Sequence, residues 1–193
     1  MMRLAERLAV RASLPLHYSQ GFNPRPAISF ASPRPVAVAS QGDLLVACLD
    51  EPVEAAELLS RLNDHAPAGL RAVRAELLPG KAAARPKAIR YELALEAARI
   101  PAVRQRLAQL AGEPCWIAQR RHPARNARQG PTTQPIDLRP LVAEVNLDDS
   151  VLRITLVPKG DLWARPGEVL ALLGLDERFD LAATVRRPME LKQ

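Results

Sequence analysis

The segment Ile89–Glu96 constrains this chain more than any other. Ile89, Tyr91, Leu93 and Leu95 alternate strictly with Arg90, Glu92, Ala94 and Glu96. Side chains of an extended backbone point alternately to opposite faces, so this spelling is a strand buried on one side only. Such a strand needs a covering layer, and the downstream sequence supplies one. Pro101 opens a helix with Val103, Leu107 and Leu110 inward, stopped by Gly112. Cys115–Gln119 reads as a strand, Arg120–Pro135 as a long polar basic loop, and Val142–Leu147 with Val151–Val157 as a hairpin over Asp148-Asp149-Ser150. A short helical turn is an equal reading of Leu138–Val142. Pro166 opens a last helix through Val169–Leu173, ended by Gly174, and Phe179–Val185 alternates as the final strand.

The first half is less regular. Leu4, Leu8 and Ala12 form one stripe of a helix over residues 3–13, with Arg3, Arg7 and Arg11 beside it, and Pro15 ends it. A turn-rich passage leads to a strand at Ala27–Phe30, and a second strand follows at Leu44–Leu49. Pro52 suits the first turn of a helix to about residue 63, and Leu70–Leu77 reads as a third strand. Residues 79–88, with Pro79, Gly80, Pro86 and three basic side chains, have the composition of a linker.

Strand, helix, strand, strand, helix, strand is the order of a ferredoxin-like unit. The expected architecture is α+β, with two such units in tandem over residues 1–78 and 89–193 and the linker 79–88 between them. The first unit begins at its helix and lacks an opening strand. That strand is central in such a sheet, and its absence leaves neighbouring N–H and C=O groups unpaired. Three outcomes follow as expectations: a gene start upstream of Met1, a strand donated by a partner or by a second copy in a strand-swapped dimer, or a first unit rearranged around the gap.

Composition narrows the function. Hydrophobic residues make up 48%, enough for a packed core, while aromatics make up 4%. No apolar run nears the ~20 residues of a membrane helix, and no secretory signal is present, so the expected location is the cytoplasm without membrane contact. Cys48 and Cys115 read as small apolar residues buried in strands, and His17, His65 and His122 lack metal-ligand spacing. No Gly-rich phosphate loop, nucleophile elbow or C-x3-C-x2-C occurs, so the chain supplies neither an iron–sulfur cluster site nor a self-sufficient catalytic set. Its net charge is +6. Acidic residues are absent from Arg7 to Gly42, from Leu77 to Tyr91 and from Pro114 to Ile136. Basic fields of this kind attract polyanions.

The richest passage is His17-Tyr18-Ser19-Gln20-Gly21-Phe22-Asn23-Pro24-Arg25-Pro26. Tyr18 and Phe22 suit stacking on bases and Arg25 or Arg11 suits phosphate, with Gln20 and Asn23 as polar contacts. A tight turn whose aromatics plug the core is the competing reading. His17 beside Tyr18 also admits acid–base cleavage of RNA without metal. Arg120, Arg121, Arg125 and Arg128 form an arm for a polyanion or a solvated loop. An Asp137–Arg139 interaction pins the point where that arm rejoins the fold. Arg165 begins a helix whose Glu168 lies at the positive dipole end, and Arg165 joins Arg139 as a candidate contact.

Three blocks carry a family resemblance: Tyr18–Pro26 with Ile28-Ser29-Phe30, Asp137–Leu141, and Arg165–Leu170. Together they resemble the radical SAM-associated (radical SAM-linked) protein family, a domain of unknown function. The resemblance implies an accessory protein of a radical SAM enzyme, with the iron–sulfur cluster and S-adenosylmethionine held by that partner and no cofactor in this chain. It transfers no catalytic residues. Members begin with a strand and a Ser-His-Leu-Asp-like passage, where this chain begins within a helix. They often carry glycine where this chain has Ala37. The expectation is a non-catalytic adaptor that contacts RNA through basic loops. Its alternatives are a metal-independent RNA-processing enzyme using His17 and a pure protein-interaction module.

Overall fold

A computed structural model describes residues 1–78, 85–122 and 130–191. In chain order the elements begin with α1 (Met2–Arg11), β1 (Ile28–Phe30), β2 (Ala39–Ser40), β3 (Leu45–Ala47) and α2 (Ala55–His65). β4 (Pro86–Ala94), α3 (Ile100–Gly112), β5 (Ile117–His122) and β6 (Thr132–Asp137) follow. The chain continues through β7 (Val142–Asp148), β8 (Val151–Leu156), α4 (Pro166–Leu172), α5 (Phe179–Ala183), β9 (Val185–Arg186) and β10 (Glu190–Leu191). This is a mixed α+β protein that divides into two compact units, Met1–Pro33 with Leu44–Arg85, and Arg34–Asp43 with Pro86–Gln193. Among the described residues, no helix is long and apolar enough to cross a membrane.

In the first unit, α1 buries Ala5, Leu8 and Ala9, and Ala12 just beyond it is buried too, whereas Leu4 stays exposed. The buried stripe is therefore one residue off the expected one at its start. β1 and β3 pair antiparallel, Ile28 opposite Ala47 and Phe30 opposite Leu45. Three backbone bonds draw further extended residues together. His17 N–H donates to Cys48 C=O (2.9 Å), Cys48 N–H to Ala27 C=O (2.9 Å), and Ala27 N–H to His17 C=O (2.8 Å).

The third strand expected at Leu70–Leu77 is not formed. The Asn63 side chain instead accepts from Ala72 N–H (2.8 Å) and donates to Ala72 C=O (3.0 Å), so a side chain takes the place of a neighbouring strand. Val73 and Leu77 remain exposed. Both cysteines are exposed as well, because each lies just outside a strand rather than on its buried face.

The second unit is organised on β4, as its alternation demands. The sheet runs β2-β9-β4-β8-β7, with β10 also paired to β4. β9, β4, β8 and β7 are successively antiparallel, and β2 joins β9 in parallel. Ile89, Tyr91 and Leu93 of β4 and Leu152, Ile154 and Leu156 of β8 are buried with Val103 and Leu110 of α3 and Val169 and Leu170 of α4. Each such side chain contributes about 1.5–3 kcal/mol of transfer free energy. Residues 139–141 form the short helical turn. β5 and β6 make a separate antiparallel two-stranded sheet, so residues 120–122 and 132–135 of the expected loop are strand.

The expected strand at Phe179–Val185 is instead α5 followed by the short β9. The Asp176 carboxylate accepts the N–H groups of Arg178 (2.7 Å) and Phe179 (2.8 Å), which stabilises a helix start there. At Phe179–Val185 alternation in a short segment yields to local side-chain capping, as the apolar segment Leu70–Leu77 yields to Asn63. Residues 34–43, which the sequence reading kept inside the first unit, belong to the second. Val38 is in the second unit's core, and Asp43 meets the fully buried Arg186 there. Burial pushes the Asp43 carboxyl up, but the Ser40 hydroxyl and the Arg186 guanidinium outweigh it and hold the group below the ordinary value. Burial dominates at Tyr91 and raises its phenol despite Arg186.

Candidate nucleic-acid interface

The site in the first unit starts with helix periodicity. Glu6 and Val10 form one i, i+4 row on α1, and Arg7 and Arg11 form the next. A loop faces them. Tyr18 bridges Pro26 across its base, Ser19 N–H donates to Arg25 C=O (2.8 Å), and Arg25 N–H donates to the Ser19 hydroxyl (3.0 Å). The two Ser19–Arg25 bonds close residues 19–25 into a defined loop. Gly21 sits at φ +149°, a conformation L side chains rarely adopt. Phe22, at the tip, is 103% exposed. The reading in which both aromatics plug the core therefore fails for Phe22, and Tyr18 is 40% exposed.

Glu6, Arg7, Val10, Arg11, Tyr18 and Pro26 line a shallow groove of about 480 Å³. Arg11 and Tyr18, both expected as contacts, are thus brought together, and Gln20, Asn23 and Arg25 lie exposed on the adjoining loop. No hydrogen bond or ion pair engages the side chains of Glu6, Arg7, Arg11, Tyr18 or Arg25 among the described residues. Other arginines are committed: Arg61 pairs with Glu57 and Arg74 with Glu76 in the first unit, and Arg99 with Asp180, Arg106 with Glu113, Arg153 with Asp148 and Arg187 with Glu92 in the second. Uncommitted guanidinium groups beside exposed rings suit a phosphate next to a flat base.

His17 does not join this groove. Its Nδ1 lies 2.6 Å from Asp50 Oδ1, and both side chains are exposed. Asp50 was not legible as a partner, because 33 residues separate it from His17 and no motif links them. Glu6 and Arg7 were detectable in principle through their i, i+4 relation to Val10 and Arg11.

The basic arm needs correction. Arg120 lies on β5 and is buried, not displayed in a loop. Its Nε and Nη2 donate to the two Glu168 carboxylate oxygens at 2.6 Å each, and Nη2 also donates to Trp163 C=O (2.8 Å). The Glu168 hydrogen bonds, helped by its charge, outweigh burial and hold the Arg120 guanidinium more strongly protonated. Arg120 is a fold residue. Arg121 is exposed, and its C=O accepts from Arg165 Nη1 (3.4 Å), so these two candidate contacts meet. Arg125 and Arg128 lie outside the described residues.

Arg139 is exposed but engaged. Its guanidinium stands 5.7 Å from the Trp116 ring centroid and donates to Glu113 C=O. The expected Asp137–Arg139 link is a backbone one: Asp137 Oδ1 accepts the N–H groups of Arg139 (3.1 Å) and Trp116 (2.8 Å). Glu168, expected near a helix start, accepts Arg165 N–H there (2.9 Å) in addition to pairing with Arg120. Among the described residues no three His, Cys, Asp or Glu side chains converge as a metal-ligand group.

Comparison with protein-family models matches residues 1–165 to the family described as an uncharacterized protein conserved in bacteria (DUF2344). No curated protein and no solved structure matches.

Proposed function

The chain belongs to that uncharacterized bacterial family (DUF2344), and from this premise we propose that it is a non-catalytic accessory protein that contacts RNA. The single observation that carries the reading is the groove of α1. There Arg7 and Arg11 stand uncommitted beside Tyr18, next to a loop that displays Phe22 and Arg25. Aromatic faces accept any base, and guanidinium groups accept phosphate, which together hold single strands. Arg121 and Arg165 add a second basic surface in the other unit.

The partner in this reading is a radical SAM enzyme, which holds the iron–sulfur cluster and S-adenosylmethionine, and the setting is the cytoplasm. That part rests on the resemblance of the Tyr18–Pro26, Asp137–Leu141 and Arg165–Leu170 blocks. The finer fold reading is a ferredoxin-like second unit, supported by the antiparallel order β9-β4-β8-β7 with the β5–β6 pair inserted.

Titration of the full chain with a labelled single-stranded RNA at several salt concentrations tests the RNA reading. Affinity that falls steeply with salt, with a slope reduced by roughly 0.7 per phosphate contact removed in Arg7→Ala or Arg11→Ala, supports it. Salt-independent or undetectable binding refutes it and leaves a pure protein-interaction module. Co-purification of a radical SAM protein from the native cell tests the partner.

One observation favours a second reading, an RNA-processing enzyme. Asp50 engages His17 Nδ1, which leaves Nε2 to exchange a proton. Metal-independent RNA cleavage that disappears in His17→Ala would replace the accessory reading.

A further inference from the structure

We infer that the α1 groove takes an unpaired guanine of the bound RNA strand, an inference that rests on the RNA reading above. The groove's lining is divided by chemistry. Val10, Tyr18 and Pro26 provide apolar and aromatic surface, while Arg7 and Arg11 provide positive charge along one helix row. A base resting on Tyr18 and Val10 would place its 5′ or 3′ phosphate toward that row.

The remaining lining group is Glu6, the only acidic side chain lining the groove among the described residues. It would weaken a site meant solely for phosphate. Glu6 lies one helical turn from Val10 on the same row, about 5–6 Å away. A base covering Val10 therefore reaches Glu6 with its edge.

A carboxylate only accepts hydrogen bonds, through two oxygens side by side. The matching base edge must offer two adjacent donors and no acceptor between them. Guanine does so with N1–H and the N2 amino group. Adenine and cytosine each set an acceptor beside the amino donor. Uracil flanks one N–H with two carbonyls that repel the carboxylate. In a duplex the guanine edge is occupied by its pairing partner, so the site requires an unpaired base.

The experiment uses the full chain and fluorescence anisotropy with three labelled strands of nine nucleotides. One is all uridine, one carries a central guanosine, and one a central adenosine. The guanosine strand should bind at least about fivefold more tightly than the other two, the low end of discrimination by a bidentate base contact. Glu6→Gln should abolish that preference without weakening the all-uridine strand, because its amide places a donor against one guanine donor. Tyr18→Ala should weaken all three strands. Displacement of the guanosine strand by GMP at concentrations below the strand's own Kd would reassign the site to a free nucleotide and overturn the RNA-strand inference. Equal affinity for the three strands overturns the guanine inference and leaves the RNA reading standing. Binding of none overturns both.

Discussion

Arg120 and Arg121 are sequence neighbours with opposite surroundings. β5 turns Arg120 inward onto Glu168 and Arg121 outward. Removing one member of a buried pair strands the other charge, so Arg120→Ala should cost about 3–5 kcal/mol. Arg121→Ala, at the surface, should stay within about 0.5 kcal/mol. Urea unfolding of the two variants checks this, and equal losses would contradict the buried-pair account. Asp180 supplies a pH-dependent counterpart. Arg99 donates to both of its oxygens (2.6 and 2.7 Å), and these bonds outweigh burial and hold the carboxyl below its ordinary value. The folded pKa is depressed, so this contribution is complete above the unfolded value near 4 and is lost as pH falls through the folded one. Asp180→Asn should therefore lower stability at pH 7 and narrow the gap between pH 7 and pH 3, read from urea midpoints.

The loop 19–25 is an element whose shape resides in few bonds. Gly21 adopts φ +149°, and Ser19 makes both cross-loop hydrogen bonds with Arg25. Gly21→Val should distort the display of Phe22, and Ser19→Ala should loosen it, since one bond uses the hydroxyl. Both variants should lose RNA affinity severalfold while the far-UV circular dichroism and the melting temperature stay near those of the parent. A large drop in melting temperature would mean that the loop supports the fold rather than a ligand. The legibility of elements follows their length. α1, α3, β4 and the β7–β8 hairpin have repeated periodicity and were readable. Leu70–Leu77 and Phe179–Val185 were misread because the pattern of a short segment is outweighed by one side chain, Asn63 in the first case and Asp176 in the second.

At the scale of the molecule, the segment 34–43 is the consequential feature. It lies early in the chain yet belongs to the second unit, where β2 pairs with β9, Val38 enters the core and Asp43 meets Arg186. A fragment beginning at Pro86 would leave the Arg186 guanidinium without that carboxylate. Such a fragment should be largely unfolded at 25 °C by circular dichroism, and a peptide of residues 34–43 added in excess should restore structure. A cooperatively folded fragment that ignores the peptide would show that the segment is dispensable. The sequence by itself determined the α+β class, the amphipathic faces of α1 and α3, the half-buried β4, and the basic, aromatic character of Tyr18–Pro26. These depend on spacing along one element. Only the tertiary structure decided that Arg120 is internal, that His17 meets Asp50, that Glu6 and Arg7 share a groove with Tyr18, and that residues 34–43 complete the second unit. Those pairings join positions far apart in the chain, and no local periodicity encodes which distant group a side chain will meet once the core has closed.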